Sequence, residues 1–426
     1  MEQLNRLSAT ETVRRLAARE ISAEQMVRAC LARIEEREAA VGAWIHIDAD
    51  AALAQARQLD AGAVRGPLHG LPLGVKDLID TADMPTAYGS PVYAGNRPRV
   101  DAACVALARA AGALVLGKTV TTEFAWFHPG KTANPHGLSH TPGGSSSGSA
   151  AAVADFMVPL AFGTQTAGSV IRPASYCGIV GYKPTHGTLP RAGIKPLSDS
   201  LDTVGVLTRT VADAALFMSA LSGRDLMPRS LAQPPRIGLC RTHEWGAAAP
   251  ETVAALEDSG ARLARAGAKL KEVVLPPDFA RVTQAQIDIM NFEIYAALAG
   301  ERLQQRDQLS DKLKQLLETA KQCDAARYDA AQAQVAACGR QLDQVFADVD
   351  VLLAPSAPGE APAGLTATGD PIFCRMWTVL HLPAINLPAS PGPRALPVGV
   401  QIVGRMGDDA RTLAAADWAQ QRLAQA

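Results

Sequence analysis

Short apolar segments alternate with helix-length amphipathic segments along most of the chain, and this alternation restricts the fold more than any other feature. The strand candidates are LPLGVKDLID (71–80), LVLGKT (114–119), MVPLAFGTQTAGS (157–169), GIVGYKP (178–184), PRIGLCR (235–241), KLKEVVLP (269–276), VDVLLAPSAP (349–358), PAINLPAS (383–390) and PVGVQIVGR (397–405). Each is a few residues long, rich in Val, Leu and Ile, and bounded by Gly or Pro. Helical spacing fits residues 51–59, 101–111, 209–222, 251–267, 284–305, 309–345 and 409–424, and SSSGSAAAVADF begins another helix. Ser22 and Gln25 form a capping box before a helix over 24–36, and residues 1–20 read as an amphipathic helix rather than a signal peptide. Strands interleaved with helices predict an α/β fold, a mixed or largely parallel sheet covered on both faces. No repeat or linker divides the chain, so one domain over residues 1–426 is expected. Residues 224–236 read as a surface loop, and the polar stretch 301–345 as a solvent-facing excursion or a dimer contact.

Composition excludes several classes of function. Lys plus Arg number 41 against 42 Asp plus Glu, with no basic run interleaved with aromatics, so nucleic acid is not an expected partner. No apolar run reaches the roughly 18–20 residues that cross a bilayer, so no membrane association is expected. The seven cysteines are widely spaced and include no C-x-x-C, which fits reduced thiols in a cytoplasmic protein. No H-E-x-x-H and no Cys/His cluster is present, so neither a metal nor another cofactor is expected.

Three segments carry candidate chemistry. Gly112–Thr119 matches G-x-x-x-x-G-K-[ST], but its intervening Ala-Leu-Val-Leu suits a buried strand, and a helix precedes it where a phosphate loop needs a strand. The reading that fits is a core strand ending in a solvated Lys118. Gly144–Gly148 matches G-x-S-x-G around Ser146, but LSHTPG is a poor strand, and a nucleophile elbow needs one immediately before it. The third reading joins the Gly/Ser turn 143–149, the Gly turn 163–169 and Lys76 in Leu-Gly-Val-Lys-Asp-Leu-Ile. Aliphatic neighbours that bury Lys76 would disfavour its ammonium form and lower its pKa, as a general base requires. Glycine-rich turns let backbone N–H groups approach a ligand.

At these residues the sequence resembles the amidase signature family. TPGGSSSGSAAAVADFMVPLAFGTQTAGSVIRPASYCGIVGYKPT (141–185) is similar to that family's signature block throughout. LPLGVKD, the GKT strand, Asn134-Pro135, SLDTVG (200–205) and LPVGVQIVGR extend the likeness over nearly the whole chain. It is strongest toward malonamidase-like small bacterial members, through PSAPGEAPAG, TGDP and MWT. The resemblance implies an acyl-enzyme amide hydrolase with Ser169 as nucleophile, Ser145 as a bridging serine on a cis peptide, and Lys76 as base. It implies that Thr166, Ala167, Gly168 and Ser169 offer backbone N–H groups to an oxyanion. It favours a small-molecule amide substrate and a homodimer. Some members serve instead as the amidase subunit of a partner-dependent amidotransferase, which is typically a longer chain.

Three departures from the commoner family pattern stand out. Arginine lies three residues after Ser169, as Arg172, rather than two. In the malonamidase-like arrangement this arginine reads a substrate carboxylate, implying a malonamate-like or diamide substrate; the other reading is a structural arginine holding a carbonyl or a buried Asp. Gln165 stands where many relatives have Asp, and Ala167 where many have Gly. Cys177 reads as core, and His128, His136 and His140 as part of a solvated loop.

Overall fold

The computed structural model describes residues 3–424. Residues 1 and 2, at the start of the expected N-terminal helix, and residues 425–426 lie outside the described residues. The expected strands form: β2 (Pro72–Lys76), β3 (Leu114–Thr119), β4 (Leu160–Gln165), β5 (Val180–Lys183), β7 (Arg236–Leu239), β8 (Lys269–Glu272), β9 (Val351–Pro355), β10 (Ala384–Pro391) and β11 (Pro397–Val403). Two more are β1 (Trp44–Ile47) and β6 (Thr203–Thr208). All lie in one sheet of order β1-β3-β2-β4-β6-β5-β10-β11-β9-β7-β8. The pairs β2–β3, β2–β4, β7–β9 and β7–β8 are parallel. The other neighbours are antiparallel, so the sheet is mixed.

Side-chain alternation along the strands builds two apolar layers. In β3, Val115 packs with the layer under α4 (Ala103–Ala110), α7 (Val211–Ser222), α8 (Pro250–Arg265) and α15 (Asp409–Leu423). Its neighbours Leu114 and Leu116 face α2 (Ala23–Val41), α3 (Ala49–Ala61), α5 (Ser147–Ala154) and α6 (Ile171–Tyr176). The N-terminal helix, α1 (Ala9–Ala17), stops short of the expected span. Ser22 and Gln25 do form the capping box of α2. No helix among the described residues is long and apolar enough to cross a membrane.

The structure corrects several element boundaries. The helix expected over 284–305 divides at Leu298, whose ψ of 27° leaves the helical region, into α9 (Val282–Ala297) and α10 (Ala299–Gln304). The stretch 309–345 is three helices, α11 (Asp311–Ala320), α12 (Ala325–Gly339) and α13 (Leu342–Val345). Asp324 restarts the chain as an N-cap, accepting from Arg327 N at 2.8 Å. α11 is no solvent-facing excursion: its Leu313, Leu316 and Leu317 are buried with Ile294 of α9 and Phe124, whereas α12 buries only Ala331 and Cys338. α6 and α14 (Ile372–Val379) are short helices, both almost wholly buried, polar residues included.

Lys118 is not solvated at the end of β3. It is fully buried, 3.2 Å from Asp77 Oδ1, and donates to Ile79 O at 2.8 Å and Thr86 Oγ1 at 2.5 Å. This pair ties β3 to the chain just past β2. Removing one partner of a buried pair leaves a charge without compensation, at a cost of about 3–5 kcal/mol. Lys118→Met should therefore lower unfolding stability by that amount in urea titrations, and adding Asp77→Asn should recover part of the loss. A Lys118→Met protein within about 1 kcal/mol of the parent would contradict the pairing's role.

Candidate active site

Because β2 and β4 run parallel, their carboxyl ends open on the same edge of the sheet, where ligand sites of α/β proteins form. Lys76 ends β2. β4 ends at Gln165 and turns through Thr166–Ser169 into α6. The Gly/Ser segment enters α5 beside them, with a cis peptide between Gly144 and Ser145. Its serines are laced to β4 rather than mobile. Ser149 Oγ donates to Phe162 O at 2.8 Å, and Ser146 Oγ accepts from Thr164 N at 3.3 Å. Ser146 N donates to Ser169 O at 3.4 Å, which joins the two turns directly. Glycine is required at Gly148, where a Cβ would lie 2.2 Å from Ala43 O.

Lys76 Nζ lies 2.7 Å from both Ser145 Oγ and Thr164 Oγ1. Its side chain has no exposed surface. Burial brings its pKa down to about 7, with the Asp202 carboxylate working in the opposite direction and Arg172 in the same one. Lys183 is also fully buried and brought down to about 7 by burial, but its Nζ donates to Pro184 O at 2.9 Å. Of these two lysines, only Lys76 meets a serine hydroxyl.

The turn after β4 is held from three sides. Gln165 Oε1 accepts from Val170 N at 2.9 Å and Ile171 N at 3.0 Å, while its Nε2 donates to Thr378 Oγ1 at 2.9 Å. The amide thus does what an Asp oxygen could do, without the charge. Thr166 Oγ1 donates to Asp202 Oδ1 at 2.5 Å, and Gln286 Nε2 donates to Thr166 O at 3.1 Å. Burial raises the Asp202 pKa, against hydrogen bonds from Thr166, Leu197 and Ser198. The backbone N–H groups of Ala167, Gly168 and Ser169 meet no acceptor among the described residues. Buried N–H groups are seldom left so, and they suit an incoming oxyanion.

Arg172, the second residue of α6, is buried. Its Nη2 donates to Gly144 O at 2.5 Å and Thr368 Oγ1 at 3.3 Å, and its guanidinium lies 5.4 Å from the Phe127 ring centroid. Nε and Nη1 are buried without a partner. Arg172 therefore braces the Gly/Ser turn and retains two unused donors. With Ser145, Thr166, Ser169, Trp126 and Phe127 it lines an inner cleft of about 10 Å³, room for one water-sized group. Trp126, Phe127 and Met290 continue into an outer cavity of about 690 Å³, walled by α9, α11 and α14.

The structure thus brings together Lys76, Ser145, Thr166, Ala167, Gly168, Ser169 and Arg172. It keeps Ser146 as a backbone ligand of β4 and buries Cys177, whose Sγ donates to Pro142 O at 3.4 Å. His186 stacks on His381 with ring centroids 4.3 Å apart, away from the residues that line the cleft. Sequence reasoning missed Thr164, Asp202, Gln286 and Arg375 as members of the site. Thr164 and Asp202 stood inside recognised segments; Gln286 and Arg375 arrive from α9 and α14 with no local signal. Among the described residues no three His, Cys, Asp or Glu side chains converge as metal ligands do.

The Lys76 environment is directly testable. In a protein labelled at lysine Cε, Lys76→Met should delete an NMR signal that titrates near pH 7. Deletion of a signal titrating in the ordinary lysine range, about 10.4, would refute the burial argument.

Comparison with known proteins identifies the family. The Amidase family matches residues 25–413. The chain is 35% identical over 480 aligned positions to a Glutamyl-tRNA(Gln) amidotransferase subunit of Chloroflexus aggregans, covering 99% of this chain and 97% of that protein. A crystal structure of an amidase superposes with a TM-score of 0.91 at 30% identity, covering 98% of this chain and 100% of that one. The peptide amidase of Stenotrophomonas maltophilia gives a TM-score of 0.82 at 30% identity, over 98% and 97% of the two chains. By the length of the family match and the identity to these relatives, the chain belongs to the Amidase family and is a C–N hydrolase.

Proposed function

We propose that this chain hydrolyses a small amide to a carboxylic acid and ammonia or an amine, with Ser169 as nucleophile, Ser145 as proton bridge and Lys76 as base. The observation that carries the reading is the buried Lys76 amine, 2.7 Å from Ser145 Oγ, at the cleft that Ser169 also lines. Neutral Lys76 accepts the Ser145 hydroxyl proton while Ser145 accepts that of Ser169. Ser169 Oγ bonds to the amide carbon, and the carbonyl electron pair moves to oxygen. The N–H groups of Thr166, Ala167, Gly168 and Ser169 stabilise that charge. Collapse breaks the C–N bond as the proton returns from Lys76 through Ser145 to the leaving nitrogen. Water then releases the acid from Ser169 by the same relay. Thr164 accepts a second hydrogen bond from Lys76 and so directs the amine lone pair toward Ser145. No metal or cofactor enters the scheme.

Arg172 completes the reading on the substrate side. Its unpartnered Nε and Nη1 leave a buried cation for a substrate carboxylate to compensate, which favours malonamate-like substrates over neutral amides. The same arginine holds Gly144 O, so the structural and the substrate roles coexist. We take the chain as a single cytoplasmic domain, in keeping with a malonamidase-like enzyme that forms a homodimer. A second reading follows from the relatives named as amidotransferase subunits: the chain is an amidase component that hydrolyses amide only when joined to a partner.

Ammonia release from malonamate, malonamide, propionamide, benzamide and biuret by the isolated chain separates these readings. Ser169→Ala should reduce release by more than about a thousandfold, and Ser146→Ala by less than about tenfold. The reverse order would sink the assignment, and no release by the isolated wild type would favour the partner-dependent reading. Because the neutral amine is the active base, kcat/KM should rise tenfold per pH unit below the Lys76 pKa of about 7 and level off above it. A profile falling through that range would rule out Lys76 as base.

A further inference from the structure

Two arginines stand at this site with no carboxylate against either. Arg172 is the inner one. The outer one, Arg375 on α14, is 9% exposed, and its Nη1 donates to Gln286 Oε1 at 2.5 Å. Gln286 is neutral, so the negative charge that acts on the guanidinium is that of Asp370, which forms no ion pair with it. Among the described residues Arg375 makes no ion pair. It borders the outer cavity, where Asp370 is exposed at the rim and accepts from Ile372 N at 3.0 Å. Lys312 of α11, which also lines the cavity, is exposed and donates to Thr366 O. Burial brings the Arg375 pKa down to about 10, with Arg172 adding to the effect and Asp370 opposing it. Buried cations are ordinarily paired, since desolvation is otherwise uncompensated. A second buried guanidinium beside the first points to a ligand that supplies the missing charge.

The two cavities indicate which part of a ligand does so. On the amide-hydrolase reading the inner cleft, lined by Ser169 and Arg172, takes the acyl end, whereas the outer cavity of about 690 Å³ receives whatever extends from it. We infer that Arg375 is an anion subsite of the outer cavity, binding a carboxylate on the portion of the substrate that leaves the inner cleft. The preferred amide then carries an acidic group on its nitrogen side in addition to the one at Arg172. This inference rests on the amide-hydrolase reading for its orientation. The Arg375–Gln286–Thr166 chain also places the occupied subsite in contact with the turn after β4.

The test is equilibrium binding to the Ser169→Ala protein, measured by titration calorimetry with two probes. N-malonylglycine carries carboxylates at both ends, and N-methylmalonamate carries only the one meant for Arg172. The dianion should bind about tenfold or more tightly than the monoanion. Arg375→Gln should bring that ratio below about twofold, and Arg375→Lys should retain an intermediate value, because the point charge stays and the fork is lost. A purely structural Arg375 would weaken both probes equally and preserve the ratio, which would overturn the subsite. So would equal binding of the two probes, or no binding of the dianion, to the protein with Arg375 intact. If the dianion preference is present but the wild-type chain hydrolyses neither probe, the hydrolase reading fails and the subsite stands.

Discussion

Lys76 reaches the end of β2 with no exposed surface and no carboxylate in contact, and most of the site's organisation follows from keeping it there. Desolvation favours its neutral form, the form that can accept a proton. The parallel pairing of β2 with β4 brings Thr164 to it, and the α5 serines bonded to β4 bring Ser145. One residue further along, the Asp77–Lys118 pair fixes the exit of β2. A lysine in this setting needs its neighbours held more than charged. Asp202 is the carboxylate that most favours its protonated form, and Asp202 is engaged with Thr166, Leu197 and Ser198.

The substrate end follows the same economy of negative charge. Gln165 caps the two N–H groups after Ser169 with a neutral oxygen. Arg172 and Arg375 meet carbonyl, hydroxyl and amide oxygens but no carboxylate. A charged Asp at position 165 would offset part of this positive field, and the amide leaves it available to a ligand. α11 and α14 shape the outer cavity in which that field acts.

Much of this arrangement is legible in the sequence because it is local. The apolar strand around Lys76, the two glycine turns and the alternation of strand and helix all leave their mark within a few residues. Tertiary demands hide the rest. Lys118 reads as a solvated strand end until the parallel pairing of β2 with β3 sets Asp77 against it. β1 and β6 escape notice because WIHI is too short to stand out and TVGVLT reads only as part of a motif. α6 and α14 are only six and eight residues long, too short for a helical period to stand out. Gln286 and Arg375 reach the turn after β4 from over a hundred residues downstream, so no spacing rule points to them.

Central to the proposed mechanism is the assignment of the Ser169 hydroxyl as the acyl carrier. The most direct measurement is rapid acid quenching of the enzyme during turnover of a small amide, followed by peptide mapping of the acylated residue by mass spectrometry. Acyl mass is expected on the peptide containing Ser169, absent in Ser169→Ala and absent when Lys76 is replaced by Met. Acylation of Ser146 or Cys177, or turnover with Ser169 never modified, would contradict it.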